Sequence, residues 1–221
     1  MARLAVVCGH SILGTGYADG DLTTHVVLQR HGGPDRHTPA HRVDHVANLR
    51  SLVEQGCDRV LAISSVGGLR DALGVGTFVA PDDFVALHTS MSVYDDFRGH
   101  TVPALDAAWR TRVVDAWNAH ATDIVRLHDG GVYWQTFGPR FETPAEVRFI
   151  AQFADVVGMT MASECIVACE LGLSYASICV VDNLANGVAE QPLTPEEFEA
   201  GKRANQAAVI AALDAVIPAL I

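Results

Sequence analysis

The chain has 221 residues, and its 15 Lys+Arg against 26 Asp+Glu leave a formal net charge of −11 with histidine neutral. That balance argues against a nucleic-acid binder held by bulk attraction to phosphates. An apolar share of 49%, with 19 glycines and nine prolines dispersed along the chain, excludes disordered, low-complexity and collagen-like classes and leaves one α/β-sized domain spanning 1–221.

The first element, Leu4–Cys8, follows a single Arg and carries no cleavage pattern, so it fits a buried strand better than a secretory signal. A short strand at Val26–Leu28 comes next. Val43, Val46, Leu49, Leu52 and Val53 then recur at helical spacing up to Gly56, which stands where a helix C-terminal glycine belongs. Val60–Ser65 and Phe84–Leu87 read as strands, Ala104 to His120 as a helix, and Val132–Tyr133, Val156–Met159 and Ser174–Val181 as further strands. Thr143-Pro-Ala-Glu146 and Thr194-Pro-Glu-Glu197 each combine a capping Thr, a Pro at the first helical position and a Glu three residues on, so both start helices. The second of these is expected to run to about Val216. Strands alternating with helices imply an α/β fold with a mostly parallel or mixed central sheet flanked by helices. The C-terminal apolar stretch from Ala207 is broken by Asp214 and Pro218 and is too short for a bilayer. No membrane partner is expected, and a cytoplasmic location follows. The five cysteines form no CxxC, and buried thiols are the simplest reading of them.

In such sheets the ligand site gathers where strands end. Four expected strand ends carry glycine, hydroxyl or cationic groups: Gly9-His-Ser11, Arg30-His-Gly32, Ser64-Ser-Val-Gly-Gly68 and Gly158-Met-Thr160. Backbone N–H groups, hydroxyls and one forked guanidinium suit a small tetrahedral anion, phosphate above all. The chain has no GxxxxGK[ST] loop and no dinucleotide fingerprint, which demotes ATP-type and NAD-type binding.

The segment Gly138-Pro-Arg-Phe-Glu-Thr-Pro-Ala-Glu146, then Ala154-Asp-Val-Val-Gly-Met-Thr160, then Glu164 and the strand from Gly172 through Asn183, resembles the trimeric purine nucleoside phosphorylases and the methylthioadenosine or methylthioinosine phosphorylases. The Gly-x-Ser at 9–11, Arg30-His31, the pattern of Pro39, Val43, Ala47 and Asn48, and Ser64 to Leu69 agree in order. The chain resembles a shortened member, with 18 residues between Ser11 and Arg30, with Val43-Asp-His45 in place of VNY, and with Ser163 where proline usually precedes the Glu.

The resemblance implies phosphorolysis of a purine nucleoside to free base and α-sugar 1-phosphate, with phosphate as co-substrate, no metal or other cofactor, and a homotrimer. By similarity, Ser11, Arg30, His31, Ser65 and Thr160 hold phosphate, and Met159 packs on the ribose. His100 reaches the sugar 5′ end in the neighbouring subunit, which makes the site an interface. Phe141 stacks on the base, while Glu142 and Asn183, with His31, make up the catalytic set. Glu142 accepts N1–H, which only a 6-oxopurine carries, and Asn183 has a donor and an acceptor for O6 and N7–H. Asp182 is the rival base reader, and it would favour adenine; neighbours on a strand face opposite sides, so register decides. The late segment Leu193, Thr194 and Phe198 suits an apolar 5′ group. Three alternatives stand beside the main reading: a methylthioadenosine-type phosphorylase, a nucleoside hydrolase, and a catalytically silent nucleoside-binding protein.

Overall fold

The computed structural model describes residues 3–17, 24–32, 37–189 and 193–221. Strand β3 (Arg59–Gly68) is the spine of the sheet, and β9 (Ser174–Leu184) runs parallel to it along one whole edge. The other edge is shared. β1 (Leu4–Cys8) pairs in parallel with residues 59–63, and β8 (Val156–Gly158) pairs antiparallel with 67–68. Residues 64–66 lie between those two partners, so the ends of several strands converge on them.

β2 (Val26–Gln29) extends from β1, while β7 (Val132–Gln135) and β5 (Asp83–Val85) extend from β8. β4 (Phe78–Ala80), antiparallel to β9, and β6 (Leu127–Asp129) complete the far side. The sheet is therefore mixed, with β3–β8 and β4–β9 as its antiparallel pairs among the described residues. Val recurs in β1, β3 and β9 among Leu, Ala and Ile, and nearly every side chain in them is buried, as both faces of the sheet are covered.

α1 (His45–Glu54) and α4 (Met161–Glu170) cover one face, packing Leu49, Leu52, Met161 and Cys165 with Val60 and Tyr175. α2 (Ala107–His120) and α5 (Pro195–Leu220) cover the other with Trp109, Trp117, Val209 and Leu213 on Leu61 and Ile178. Burying a large side chain such as Trp117 contributes roughly 1.5–3 kcal/mol. α3 (Pro144–Ile150) closes a smaller cluster around Trp134.

Both expected capping boxes form: Thr143 and Thr194 accept from the backbone N–H of Glu146 and Glu197, whose carboxylates bond back. β4 and β6, three residues each, were not read from the sequence. The strand expected at Phe84–Leu87 lies at Asp83–Val85, and Leu87 is exposed. α5 continues past Val216 through Pro218, because a proline in the last turn forfeits only one hydrogen bond, to the carbonyl of Asp214. Among the described residues no helix is long and apolar enough to cross a membrane.

Candidate active site

A cavity of about 210 Å³ opens beside residues 64–66, where β2, β3, β8 and β9 end. One end of it is built from strand-end polar groups. Arg30, which follows β2 and is 3% exposed, donates from Nε and Nη2 to the two carboxylate oxygens of Glu164 at 2.6 and 2.8 Å. Tyr175 Oη donates to the same carboxylate at 2.8 Å. Such a bidentate, fully bonded pair is the geometry in which a buried ion pair offsets its own desolvation. Nη1 is left facing the carbonyl of Ile63 at 3.2 Å and the hydroxyls of Ser64 and Thr160, each at 3.3 Å. A Cβ at Gly9 would lie 2.5 Å from the Ile63 carbonyl oxygen and 2.8 Å from Nη1, so only glycine lets the guanidinium pass.

His31 Nδ1 is 2.9 Å from the carbonyl of Thr38. A carbonyl only accepts, so the ring proton sits on Nδ1 and the lone pair on Nε2. Burial first, and the neighbouring Arg30 charge second, pushes the His31 imidazole down to about 3. Burial, followed by the Lys202 charge, takes His10 down to about 4. Both rings are therefore neutral near pH 7. Thr160 opens α4, and the Tyr133 hydroxyl receives the Thr160 and Met161 N–H groups at 3.2 and 3.3 Å.

The other end comes from the loop before α3 and from the end of β9. Glu142 is 8% exposed; its Oε1 accepts from Thr136 Oγ1 at 2.6 Å and its backbone carbonyl from Asn186 Nδ2 at 3.1 Å. Among the described residues Oε2 has no bonded partner. A β-bulge shapes the remaining wall. Val66 lies opposite Val181 and Gly67 opposite Asn183, which leaves Asp182 as the extra residue. The two neighbours then part company. Asn183 lines the cavity and donates from Nδ2 to the Leu184 carbonyl at 2.9 Å, which leaves one N–H and Oδ1 unspent.

The structure brings Arg30, His31, Ser65, Phe141, Glu142, Met159, Thr160 and Asn183 to one cavity. Three expected residues are elsewhere. Asp182 is 1% exposed and does not line the cavity, because the bulge turns it to Ser11, Ser65 and Asn205. Ser11 is fully buried and gives its hydroxyl to Asp182, so its side chain is not offered to an anion there. His100 is exposed just after the 3-10 turn Phe97–Gly99 and lies outside this cavity.

Sequence reading missed several wall residues. His10 stacks on Phe198 with centroids 5.5 Å apart, Phe198 lies 5.4 Å from Phe141, and His37 stacks on His31 at 5.5 Å. His10 sits in the Gly-x-Ser segment, so its position was legible. Glu164, behind the wall, was singled out in the family motif, but its pairing with Arg30 was not foreseen. Leu193 and Phe198 line the cavity, whereas Thr194 caps α5. A second hollow of about 530 Å³ shares Glu142 but is otherwise walled by residues such as Leu87, Phe137 and Phe149, and it contains none of the strand-end donors. Among the described residues no three His, Cys, Asp or Glu side chains are grouped to hold a metal ion.

The fold is an α/β architecture, and the cavity sets strand-end donors and a Phe-Glu-Asn wall in one cleft. The chain belongs to the phosphorylase superfamily, which it matches over residues 7–218. It is 36% identical over 197 residues to a probable 6-oxopurine nucleoside phosphorylase of Archaeoglobus fulgidus, covering 89% of this chain and 79% of that protein. It is 37% identical over 180 residues to a probable S-methyl-5′-thioinosine phosphorylase of Methanosarcina acetivorans, covering 78% and 66% respectively. Its fold matches that of methylthioadenosine phosphorylase from Schistosoma mansoni, solved in complex with adenine, with a TM-score of 0.83 at 21% identity over 100% of this chain and 91% of that one.

Proposed function

We propose that this cavity carries out phosphorolysis of purine nucleosides with preference for 6-oxopurines. One observation carries the reading: strand-end anion donors and a Phe-Glu-Asn wall for a planar ring line the same small cavity. Phosphate lies against Arg30 Nη1, Thr160, His31 and Ser65, at the start of α4, where the helix dipole favours an anion. It attacks the anomeric carbon from below as the bond to the base breaks on the opposite face, giving an α-sugar 1-phosphate by inversion. The transition state has oxocarbenium character, so fixed charges and dipoles aimed at phosphate and at the departing base lower the barrier.

Phe141 stacks on the purine, and Glu142 Oε2 accepts N1–H. Asn183 offers its remaining N–H to O6 and Oδ1 to the N7–H that forms as the base leaves. An adenine-preferring site needs a carboxyl where Asn183 stands, and the Asp182 carboxyl is turned away. Leu193, Phe198, His10 and Met159 surround the sugar side, which suits inosine and guanosine and accommodates an apolar 5′ group such as methylthio. Phosphate is the co-substrate, and these residues call for no further cofactor. A homotrimer belongs to the same proposal, with His100 completing a neighbour's site, and exposed Phe97 and Val102 flank His100 on that segment. A cytoplasmic setting accords with five free cysteines.

The test is a panel of inosine, guanosine, adenosine and their 5′-methylthio forms, with and without phosphate. Base release from the 6-oxopurines that requires phosphate is expected. Release independent of phosphate, or a preference for adenosine forms, would overturn the reading.

A further inference from the structure

The proposed chemistry makes no use of Asp182, yet donors from three elements converge on its carboxyl. Ser11 Oγ stands at 3.0 Å and Ser65 Oγ at 2.5 Å from Oδ2, and Asn205 Nδ2 at 2.8 Å from Oδ1. Asn205 also holds the Val181 carbonyl at 3.2 Å, and α5 passes so close that a Cβ on Gly201 would lie 1.8 Å from the Asp182 carbonyl oxygen. The carboxyl is fixed in place. Ser65 lines the cavity and Asp182 does not.

An ionised carboxylate only accepts, so the Ser65 hydroxyl proton lies toward Asp182 and Ser65 presents lone pairs to the cavity. His31 has the same polarity, with its proton committed to the Thr38 carbonyl and its lone pair on Nε2. Both groups can accept from an oxyanion that still carries a proton. Neither can help one that carries none.

We propose that Asp182 is a specificity-determining positioning residue: by turning the Ser65 hydroxyl proton away, it makes the anion pocket select a protonated oxyanion, such as phosphate or arsenate, over a fully ionised one such as sulfate. The proposal rests on the reading of this cavity as a phosphate site. Burial raises the Asp182 pKa, while the two hydroxyls, the Asn205 amide and the Lys202 charge favour the ionised form. Among the described residues, Glu199 pairs with Lys202, and His10 stands next to Ser11.

Calorimetric titration with phosphate and with sulfate, near neutral pH, tests this without requiring turnover. The wild-type protein is expected to bind phosphate ~100-fold more tightly than sulfate, the worth of one or two hydrogen bonds to a charged ligand. In Asp182→Asn the new amide can donate to Ser65 and free its hydroxyl for the cavity, so that preference falls ~10-fold or more. Loss of the negative charge strengthens both anions alike and cancels in the ratio. Ser65→Ala weakens phosphate ~10-fold and leaves sulfate unchanged. Equal binding of the two anions by the wild type, an unchanged ratio in folded Asp182→Asn, or equal weakening of both by Ser65→Ala overturns the proposal. Phosphate that fails to bind the wild type sinks the phosphate-site reading as well, whereas tight phosphate binding with a flat ratio sinks this inference alone.

Discussion

The two ends of the cavity are built on different principles. At the anion end, Arg30, Glu164, Tyr175 and Thr160 form a buried polar cluster whose members come from β2, α4 and β9 and touch one another directly. At the base end, Glu142 and Asn183 are each held by one or two contacts: Glu142 by Thr136, six residues away, and by Asn186 just beyond β9, and Asn183 by the adjacent Leu184. The first arrangement is costly to alter, because removing one member strands a buried charge. The second can be altered at little structural cost. On the proposed function, the phosphate contacts can therefore stay constant while the base preference varies.

The largest effect that would sharpen the contrast is Glu164→Ala. It leaves the Arg30 guanidinium buried without its partner and should lower unfolding stability by about 3–5 kcal/mol in denaturant titration; a loss below ~1 kcal/mol would mean that the cluster is not what holds this end. Arg30→Ala should raise the phosphate KM roughly 100-fold with much less change in the nucleoside KM. Comparable shifts in both would break the division of the cavity into two ends.

Asn183→Asp should move the inosine-to-adenosine ratio of kcat/KM toward adenosine by roughly 100-fold with little change in melting temperature. An unchanged ratio would remove Asn183 from base reading.

Acid pH probes the buried histidines, of which His31 lies at the anion end and His10 beside it, while burial also lowers the pKa of His25 and His45. Folded His31 and His10 titrate at about 3 and about 4, below their unfolded value near 6.5, so the unfolded chain takes up protons first as pH falls. Their contribution is present above about 6.5 and is lost on descending toward 4, by at most about 1.4 kcal/mol per pH unit for each ring. Unfolding midpoints measured from pH 7 to 4.5 should fall steadily, and His31→Gln should flatten the curve. The smallest expected effect is Thr136→Val, which removes the partner of Glu142 Oε1 and should raise the nucleoside KM a few-fold, about 1 kcal/mol.

The same contrast explains what the sequence made legible. Arg30, His31 and Thr160 could be picked out because each follows a run that reads as a strand, and Ser65 because it closes one in the sequence reading, although β3 itself continues to Gly68; strand ends are where ligands gather. Phe141 and Glu142 were legible through the family motif, and the helix starts at Thr143 and Thr194 through their capping boxes. Glu164 and Asp182 were not legible in their true roles, because those roles depend on partners 134 and 117 residues away. The argument from strand alternation separated Asp182 from Asn183, but it could not see the bulge opposite Val66 and Gly67 that seats Asp182 against Ser11 and Ser65. Ser11 was misplaced for the same reason: nothing local announces that its hydroxyl is spent across 171 residues.

The most direct test of the account is the identity of the sugar product formed from inosine in the presence of phosphate. Stoichiometric α-ribose 1-phosphate appearing with hypoxanthine is the predicted result. Free ribose, formed at the same rate whether or not phosphate is added, would contradict it.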